Sequence, residues 1–253
     1  MEILFLGTSS GLISQDRHFS SIAVRKTDSW HLLDAGEGVA RQCQKFGIEP
    51  ELIASCSITH THPDHAAGIV SLLQWMHLQK RTRPLRLFVP GDPRWLSEKV
   101  LPWFQIYPER LGFEVSFGEV KPGCFFEEDL RIEAFESGHL ARYKVFSDQT
   151  GTGCGSFSFY ISGNENGSLL YTSDVESLDH LVGIKSADVL ITEITHVDAN
   201  MIWDFAERLK PGRIILTHIP PERDPVPKEF LDALSSFQVD VAFDGYRIGI
   251  KPE

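Results

Sequence analysis

Three histidines and one aspartate fall within six residues, in Thr59-His60-Thr61-His62-Pro63-Asp64-His65. Imidazole and carboxylate are the ligands that catalytic zinc and neighbouring metals take. The segment follows an apolar run, and in an extended chain residues i and i+2 face the same side. His60 and His62 can therefore share one cation. Pro63 breaks the strand and forces a turn, which sends Asp64 and His65 toward a second position. A lone histidine usually sits on the surface or in a satisfied core site. Four ligand-type residues at one strand-to-helix junction are poorly explained that way.

Such a cluster needs rigid elements to hold it. Short apolar runs predict strands at 2–6, 21–25, 30–33, 55–59 and 86–89, and again at 130–135, 157–161, 168–172, 188–192, 213–217 and 246–250. Several are apolar throughout their middles, the pattern of strands covered on both faces. Residues 66–80 place Ile69, Leu72, Leu73 and Met76 at helical spacing. Residues 94–104, 198–209 and 227–236 also read as helices, one of them closed by Pro211-Gly212. This alternation predicts an α/β class, one domain in two similar halves of about 1–120 and 121–253. The polar, glycine-rich stretch 147–156 reads as a flexible loop near a substrate.

The chain has 253 residues, 42% hydrophobic and 23% charged, enough for a core without disulfides. Its net charge of −11 opposes generic binding to nucleic acid or anionic membrane but leaves room for a local basic site. Cys43, Cys56, Cys124 and Cys154 include no Cys-x-x-Cys pair and read as structural thiols of a reducing compartment. The N-terminal Met1-Glu2-Ile3-Leu4-Phe5-Leu6-Gly7 has no basic signal-peptide region. No window reaches the roughly 20 apolar residues of a membrane helix. A cytoplasmic protein without membrane attachment is expected.

The histidine segment also carries a resemblance. His60-x-His62-x-Asp64-His65 is similar to the signature of the metallo-β-lactamase superfamily, and the chain resembles its tRNase Z-like phosphodiesterase branch. The likeness runs through Leu6-Gly7-Thr8-Ser9-Ser10-Gly11, Asp16-Arg17, Ser20-Ser21, Leu33-Asp34-Ala35-Gly36-Glu37-Gly38 and Thr59 to Gly68. It resumes at Gly138-His139, Tyr171-Thr172-Ser173-Asp174 and Leu216-Thr217-His218-Ile219. The resemblance implies an αββα sandwich, two mixed sheets face to face and flanked by helices, with the site at one edge. It implies two divalent metal ions, with zinc favoured and manganese or iron compatible with the ligands. His60, His62 and His139 would hold the first, Asp64, His65 and His218 the second, and Asp174 would bridge them. Asp34 is either a turn residue before Gly36 or a carboxylate that orients a ligating histidine from behind.

The implied reaction is phosphodiester hydrolysis by a hydroxide activated between two metals. Asp64 could also orient or deprotonate the water. His196 is the candidate acid, oriented by Glu193; the alternative is a histidine that caps the next helix. Hydrolysis of a thioester, lactone or other ester on the same scaffold is the first rival, and a non-catalytic metal-binding sensor the second. The expected substrate is a small-molecule or nucleotide-type phosphodiester. RNA is compatible but not favoured, because no glycine- and lysine-rich arm and no further catalytic histidine segment can be found. The resemblance also allows a homodimer. The basic cluster Lys80, Arg81, Arg83 and Arg86 reads as cations at a helix C-terminus rather than a phosphate patch. His31, His77 and His180 read as structural, while His18 lies in a loop that could shape substrate entry. The five tryptophans read as core or interface residues rather than a stacking platform, and the run Trp103-Phe104-Gln105-Ile106-Tyr107 as core by default, with a cover over the mouth of the site or a dimer contact as the alternatives.

Overall fold

The apolar runs pair into two seven-stranded sheets in the computed structural model, which describes residues 1–127, 130–163 and 167–250. The first sheet contains β1 (Glu2–Gly7), β2 (Ser21–Arg25), β3 (Trp30–Leu33), β4 (Ile53–Ser57), β5 (Leu85–Pro90) and β6 (Val115–Val120). The second contains β7 (Gly123–Glu127), β8 (Leu130–Glu136), β9 (Phe157–Gly163), β10 (Ser168–Tyr171), β11 (Val189–Glu193), β12 (Arg213–Thr217) and β13 (Val239–Val241). The last strand, β14 (Arg247–Gly249), crosses back and pairs antiparallel with β1. Both sheets are mixed. β3 to β6 and β10 to β13 run parallel, while β1 to β3 and β7 to β10 are antiparallel.

Among the described residues, seven α-helical segments accompany the sheets: α1 (Val39–Lys45), α2 (Pro63–Ala66), α3 (Ile69–Leu78), α4 (Leu101–Trp103), α5 (Lys144–Thr150), α6 (Ala199–Leu209) and α7 (Lys228–Ala233). Alternation along β1 sends Ile3 and Phe5 into the space between the sheets, where they meet Ile132, Phe159, Ile191 and Ile215 of the second sheet. Leu4 and Leu6 point the other way, toward Val39 and Cys43 of α1 and Leu72, Leu73 and Met76 of α3. On the far face of the second sheet, Leu190, Ile214 and Leu216 pack on Ile202, Phe205 and Leu209 of α6. Apolar residues on both faces of each sheet therefore require four layers, helix–sheet–sheet–helix. Asp198 caps α6 by accepting the Met201 N–H at 2.9 Å.

The structure departs from the sequence expectation in several places. β6, β7 and β13 are unexpected strands. β6 contains Gly118, whose missing side chain leaves room for the Phe88 ring, since a Cβ there would lie 2.6 Å from Phe88 Cδ1. α1 was also unforeseen. The expected helix 66–80 is two pieces, α2 and α3, separated at Ala67-Gly68. The expected helix 94–104 is a π-type turn, Trp95–Val100, followed by α4. The stretch 147–156 is not wholly a loop: its first four residues complete α5, which ends where Gly151 turns left-handed at φ 68.

The aromatic run is not core. Only Ile106 of it is buried, and Trp103 is 81% exposed. Nor does Arg81 act through a helix end. Arg81 is 1% exposed, and its guanidinium donates to the carbonyls of Pro50, Ile53 and Pro84. That tie fastens the end of α3 to the start of β4. Among the described residues, no helix is long and apolar enough to cross a membrane. Arg81→Ala strands three carbonyls, each costing roughly 1–3 kcal/mol. The urea midpoint is expected to fall by the equivalent of about 3 kcal/mol or more at unchanged slope.

Candidate metal centre

Five strands deliver their C-terminal ends to one edge of the sandwich. β3 leads to Asp34, β4 to His60 and His62, β8 to His139, β10 to Asp174 and β12 to His218. The chain turns abruptly there. Asp34, Ser173 and His218 all have positive φ, at 63°, 51° and 53°. Non-glycine residues in that region cost of order 1–3 kcal/mol each and tend to gather at functional sites. Pro63 opens α2 at its first position, so Asp64 and His65 leave the turn in helical geometry.

The side chains meet in two groups that share one carboxylate. In the first, His62 Nδ1 lies 3.2 Å from His60 Nε2 and 3.3 Å from His139 Nε2. Asp174 Oδ2 lies 3.9 Å from His60 Nε2 and 3.6 Å from His139 Nε2. In the second, Asp64 Oδ2 is 3.4 Å from His65 Nε2 and 3.2 Å from His218 Nε2, and the two nitrogens are 3.4 Å apart. Asp174 Oδ1 lies 3.4 Å from His65 Nε2 and 3.3 Å from His218 Nε2. Ligands about 2.0–2.1 Å from a tetrahedral ion stand about 3.3–3.4 Å apart. The donor atoms have the spacing of a metal cradle.

Hydrogen bonds behind the rings decide which nitrogen faces inward. The Asp34 carboxylate accepts from His65 Nδ1 at 2.8 Å, Thr59 N at 2.7 Å, Thr59 Oγ1 at 2.8 Å and Tyr171 OH at 2.9 Å. Thr59 Oγ1, its own proton given to Asp34, accepts from His60 Nδ1 at 3.1 Å. Thr195 Oγ1 donates to the His218 carbonyl at 2.8 Å and accepts from His218 Nδ1 at 3.1 Å. His60, His65 and His218 therefore each present a bare Nε2 to the centre. Of the two readings of Asp34, the orienting one describes its contacts.

Charge balance agrees with a cation. Asp34, Asp64 and Asp174 are all buried, and the ion partners they show are histidines. Asp174 Oδ1 has no hydrogen-bond donor in the structure. Burial resists charge on Asp64, but hydrogen bonds from His218 and His65 win and hold it well below the usual carboxylate range. Burial lowers His60, and lowers His139 to about 4, so neither competes for a cation by taking a proton. Burial also opposes charge on His65, yet Asp174 and Asp34 together raise its pKa well above the ordinary value. Three buried carboxylates thus call for positive charge at the centre, and the nitrogen and oxygen donors fit a divalent metal.

His196 and Glu193 stand beside this centre. Glu193, buried, accepts from His196 Nδ1 at 3.0 Å and from the N–H groups of Thr195 and His196 at 2.6 and 2.7 Å. The Glu193 hydrogen bond raises the His196 pKa. The His196 ring packs edge-on against His139, with Nδ1 4.0 Å from Asp174 Oδ2. The opening over the centre is lined by Ser10, Gly11, Leu12, Arg142, His196 and Glu222, among others. Thr195 and Arg142 were not anticipated; Thr195 could have been read from Glu193-Ile194-Thr195-His196, whereas nothing local marks Arg142.

Other histidines are tied elsewhere. His18 bonds Asp244 at 3.0 Å rather than lining the opening. His31 bonds Ser55 Oγ at 2.9 Å, His77 bonds the Leu111 carbonyl at 2.6 Å, and His180 bonds Ser177 O and Ser158 Oγ at 2.5 and 3.1 Å.

A family profile described as a β-lactamase superfamily domain matches residues 29–219. The chain is similar to ribonuclease Z of Methanothermobacter thermautotrophicus, 36% identical over 140 residues, covering 55% of this chain and 45% of the relative. It is similar to ribonuclease Z of Pyrococcus abyssi at 26% over 233 residues, covering 79% and 76%. Of the first relatives' own length the chain spans about half or less, 45% and 43% in two cases. Among solved structures, the short form of human tRNase Z superposes with a TM-score of 0.77 at 23% identity, covering 99% of each chain. A metallo-β-lactamase fold protein of Bacillus subtilis superposes at 0.76 with 18% identity, covering 98% of each.

Replacing the orienting carboxylate while keeping its shape isolates its role. Asp34→Asn is expected to weaken zinc binding about 10–100-fold in a competitive chelator titration, with the fold retained by circular dichroism.

Proposed function

This chain belongs to the metallo-β-lactamase superfamily, and from that premise we propose that it is a metal-dependent phosphodiesterase with two zinc ions. His60, His62 and His139 would hold one ion and Asp64, His65 and His218 the other, with Asp174 within reach of both groups. The two halves of the chain act as one unit, because each ion draws ligands from both sheets. Ions held this way supply Lewis acidity to a phosphoryl oxygen and lower the pKa of bound water. Asp64 orients the attacking water from the floor of the opening. His196, kept protonated by Glu193, gives a proton to the leaving oxygen.

Arg142 carries the choice of substrate. Its permanently charged side chain shares the opening with Asp174, His196 and His218. A permanent cation there suits an anionic phosphodiester, whereas a thioester, lactone or β-lactam is neutral at the reacting group. The curated relatives are named for an RNA substrate. A net charge of −11 favours a small phosphodiester for this chain. A sensor that only binds metal would have no use for a buried Glu193 holding His196 at the mouth of the centre. The four free cysteines, with the Cys43 thiol pushed up to about 12 by burial, support a cytoplasmic setting.

His60→Ala combined with His62→Ala is expected to remove bound metal by mass spectrometry and abolish hydrolysis of bis(4-nitrophenyl) phosphate. Full activity in that double variant rejects the reading, and faster turnover of a thioester or lactone in parallel assays redirects it. Arg142→Ala is expected to raise KM for the phosphodiester roughly 10-fold or more while leaving metal content intact. His196→Ala should slow a substrate with a poor leaving group by about 100-fold or more and spare one with a nitrophenolate. Equal losses on both substrates remove His196 as the acid.

A further inference from the structure

On the other side of the His62 segment lies an apolar cavity of about 530 Å³. Its walls include Ile58, Ile69, Val89, Leu96 and Val100, and also Thr61 and Pro63, the residues flanking His62. Between this cavity and the metal centre is a smaller one of about 320 Å³, bounded by Thr61, His62, Tyr143 and Phe146. His62 in turn lines the opening over the metal centre. The three spaces follow one another: the outer two share Thr61, Thr152 and Gly153, and the inner two share His62.

Two loops meet across the outer cavity. Gly91 and Gly153 both have left-handed backbones, at φ 78° and 76°, and a Cβ on Gly91 would stand 3.2 Å from the Thr152 carbonyl. Glycine at these positions lets the loops touch and enclose the space. Few polar groups face it. Asp92 is one, and its carboxylate is already paired with the Arg94 guanidinium at 2.6 Å. A nucleobase buried here would leave most of its donors and acceptors unmatched, at a cost in free energy. An aliphatic chain has none to match, and the volume lies within the roughly 300–1,000 Å³ typical of small-molecule sites.

We propose that this cavity binds an aliphatic ester group of the substrate, so that the preferred substrate is a phosphodiester carrying an alkyl chain. The proposal rests on the phosphodiesterase reading, which places the phosphate at the metal centre with the chain running past His62 and Thr61. Chain length then sets specificity, because each methylene that enters the cavity leaves water.

The test uses the zinc-loaded protein, alkyl 4-nitrophenyl phosphates from methyl to octyl, and non-hydrolysable alkylphosphonates of the same lengths. The expected result is a rise in kcat/KM, and in calorimetric affinity for the phosphonates, of about threefold per methylene until the cavity fills. Leu96→Trp, which occupies the cavity, should flatten both series while bound zinc is unchanged. Val100→Gln, a partly exposed position that tolerates substitution, should reduce the slope if Leu96→Trp does not fold. A series that is flat in the wild-type protein overturns the proposal while leaving the phosphodiesterase reading standing. Affinity that climbs with length while no ester is hydrolysed does the reverse. Preference for a nucleoside 2′,3′-cyclic phosphate over the octyl ester, lost in Leu96→Trp, assigns the cavity to a base and also overturns it.

Discussion

A buried carboxylate must find positive charge, and this chain buries three of them within reach of one another. Asp34, Asp64 and Asp174 sit at the edge of the sandwich with histidines as their ion partners. Desolvating a carboxylate without compensation costs several kcal/mol, more than most single contacts return. The arrangement is stable only if the imidazoles take protons or a cation takes their place. Burial lowers the pKa of His60 and His139, whereas Asp174 and Asp34 raise that of His65 against the opposing effect of burial. Protons can therefore balance only part of the charge. Divalent cations would supply the positive charge that protons do not, and would satisfy the lone pairs that face each other at 3.2–3.4 Å.

The sheets make that concentration of charge possible. His60, His62, His139, Asp174 and His218 lie in the turns that follow strand ends, and Asp64 and His65 in the short helix α2 after β4. The turns that carry Asp34, Ser173 and His218 are left-handed at residues that resist it. Local strain of this kind persists when surroundings fix it from several directions. At Asp34, four donors converge on one carboxylate, from Thr59, His65 and Tyr171. Both sheets contribute, since Thr59 and His65 follow β4 and Tyr171 ends β10. One side chain thus locks the two halves together and aims a ring at the centre.

The centre was legible in the sequence to the extent that its chemistry is local. His60, His62, Asp64 and His65 announce themselves by spacing, and long apolar strands such as β11 and β12 by continuous hydrophobicity. His139, Asp174 and His218 have no such spacing, and only a resemblance spanning the chain could group them. The residues that orient the donors were harder still. Thr59 and Thr195 look like ordinary polar residues until the fold brings a ring nitrogen to each hydroxyl. β6, β7 and α5 escaped because glycine interrupts or bounds them and their periodicity is short. Arg81 misled for a related reason: a cation after a helix looks like an end cap, and only the tertiary structure reveals three carbonyls around it.

The donor cluster and the walls of the cavities beside it come from different kinds of segment. The donors come from the turns after strand ends and from the short helix α2. Arg142, Tyr143 and Phe146 come instead from the short helical stretch after β8, and Leu96 and Val100 from a π-type turn after β5. These segments pack on the sandwich from outside and tie few backbone groups into the sheets. They can vary in length and composition without disturbing the carboxylates beneath. Such a division lets one rigid edge serve substrates of different shape, and it explains why the donor set alone does not identify a substrate. The wall shared by the two regions is the His62 segment itself. His62 faces the metal centre while Thr61 and Pro63 face the apolar cavity. A group bound in that cavity would touch Thr61 and Pro63, the residues on either side of His62.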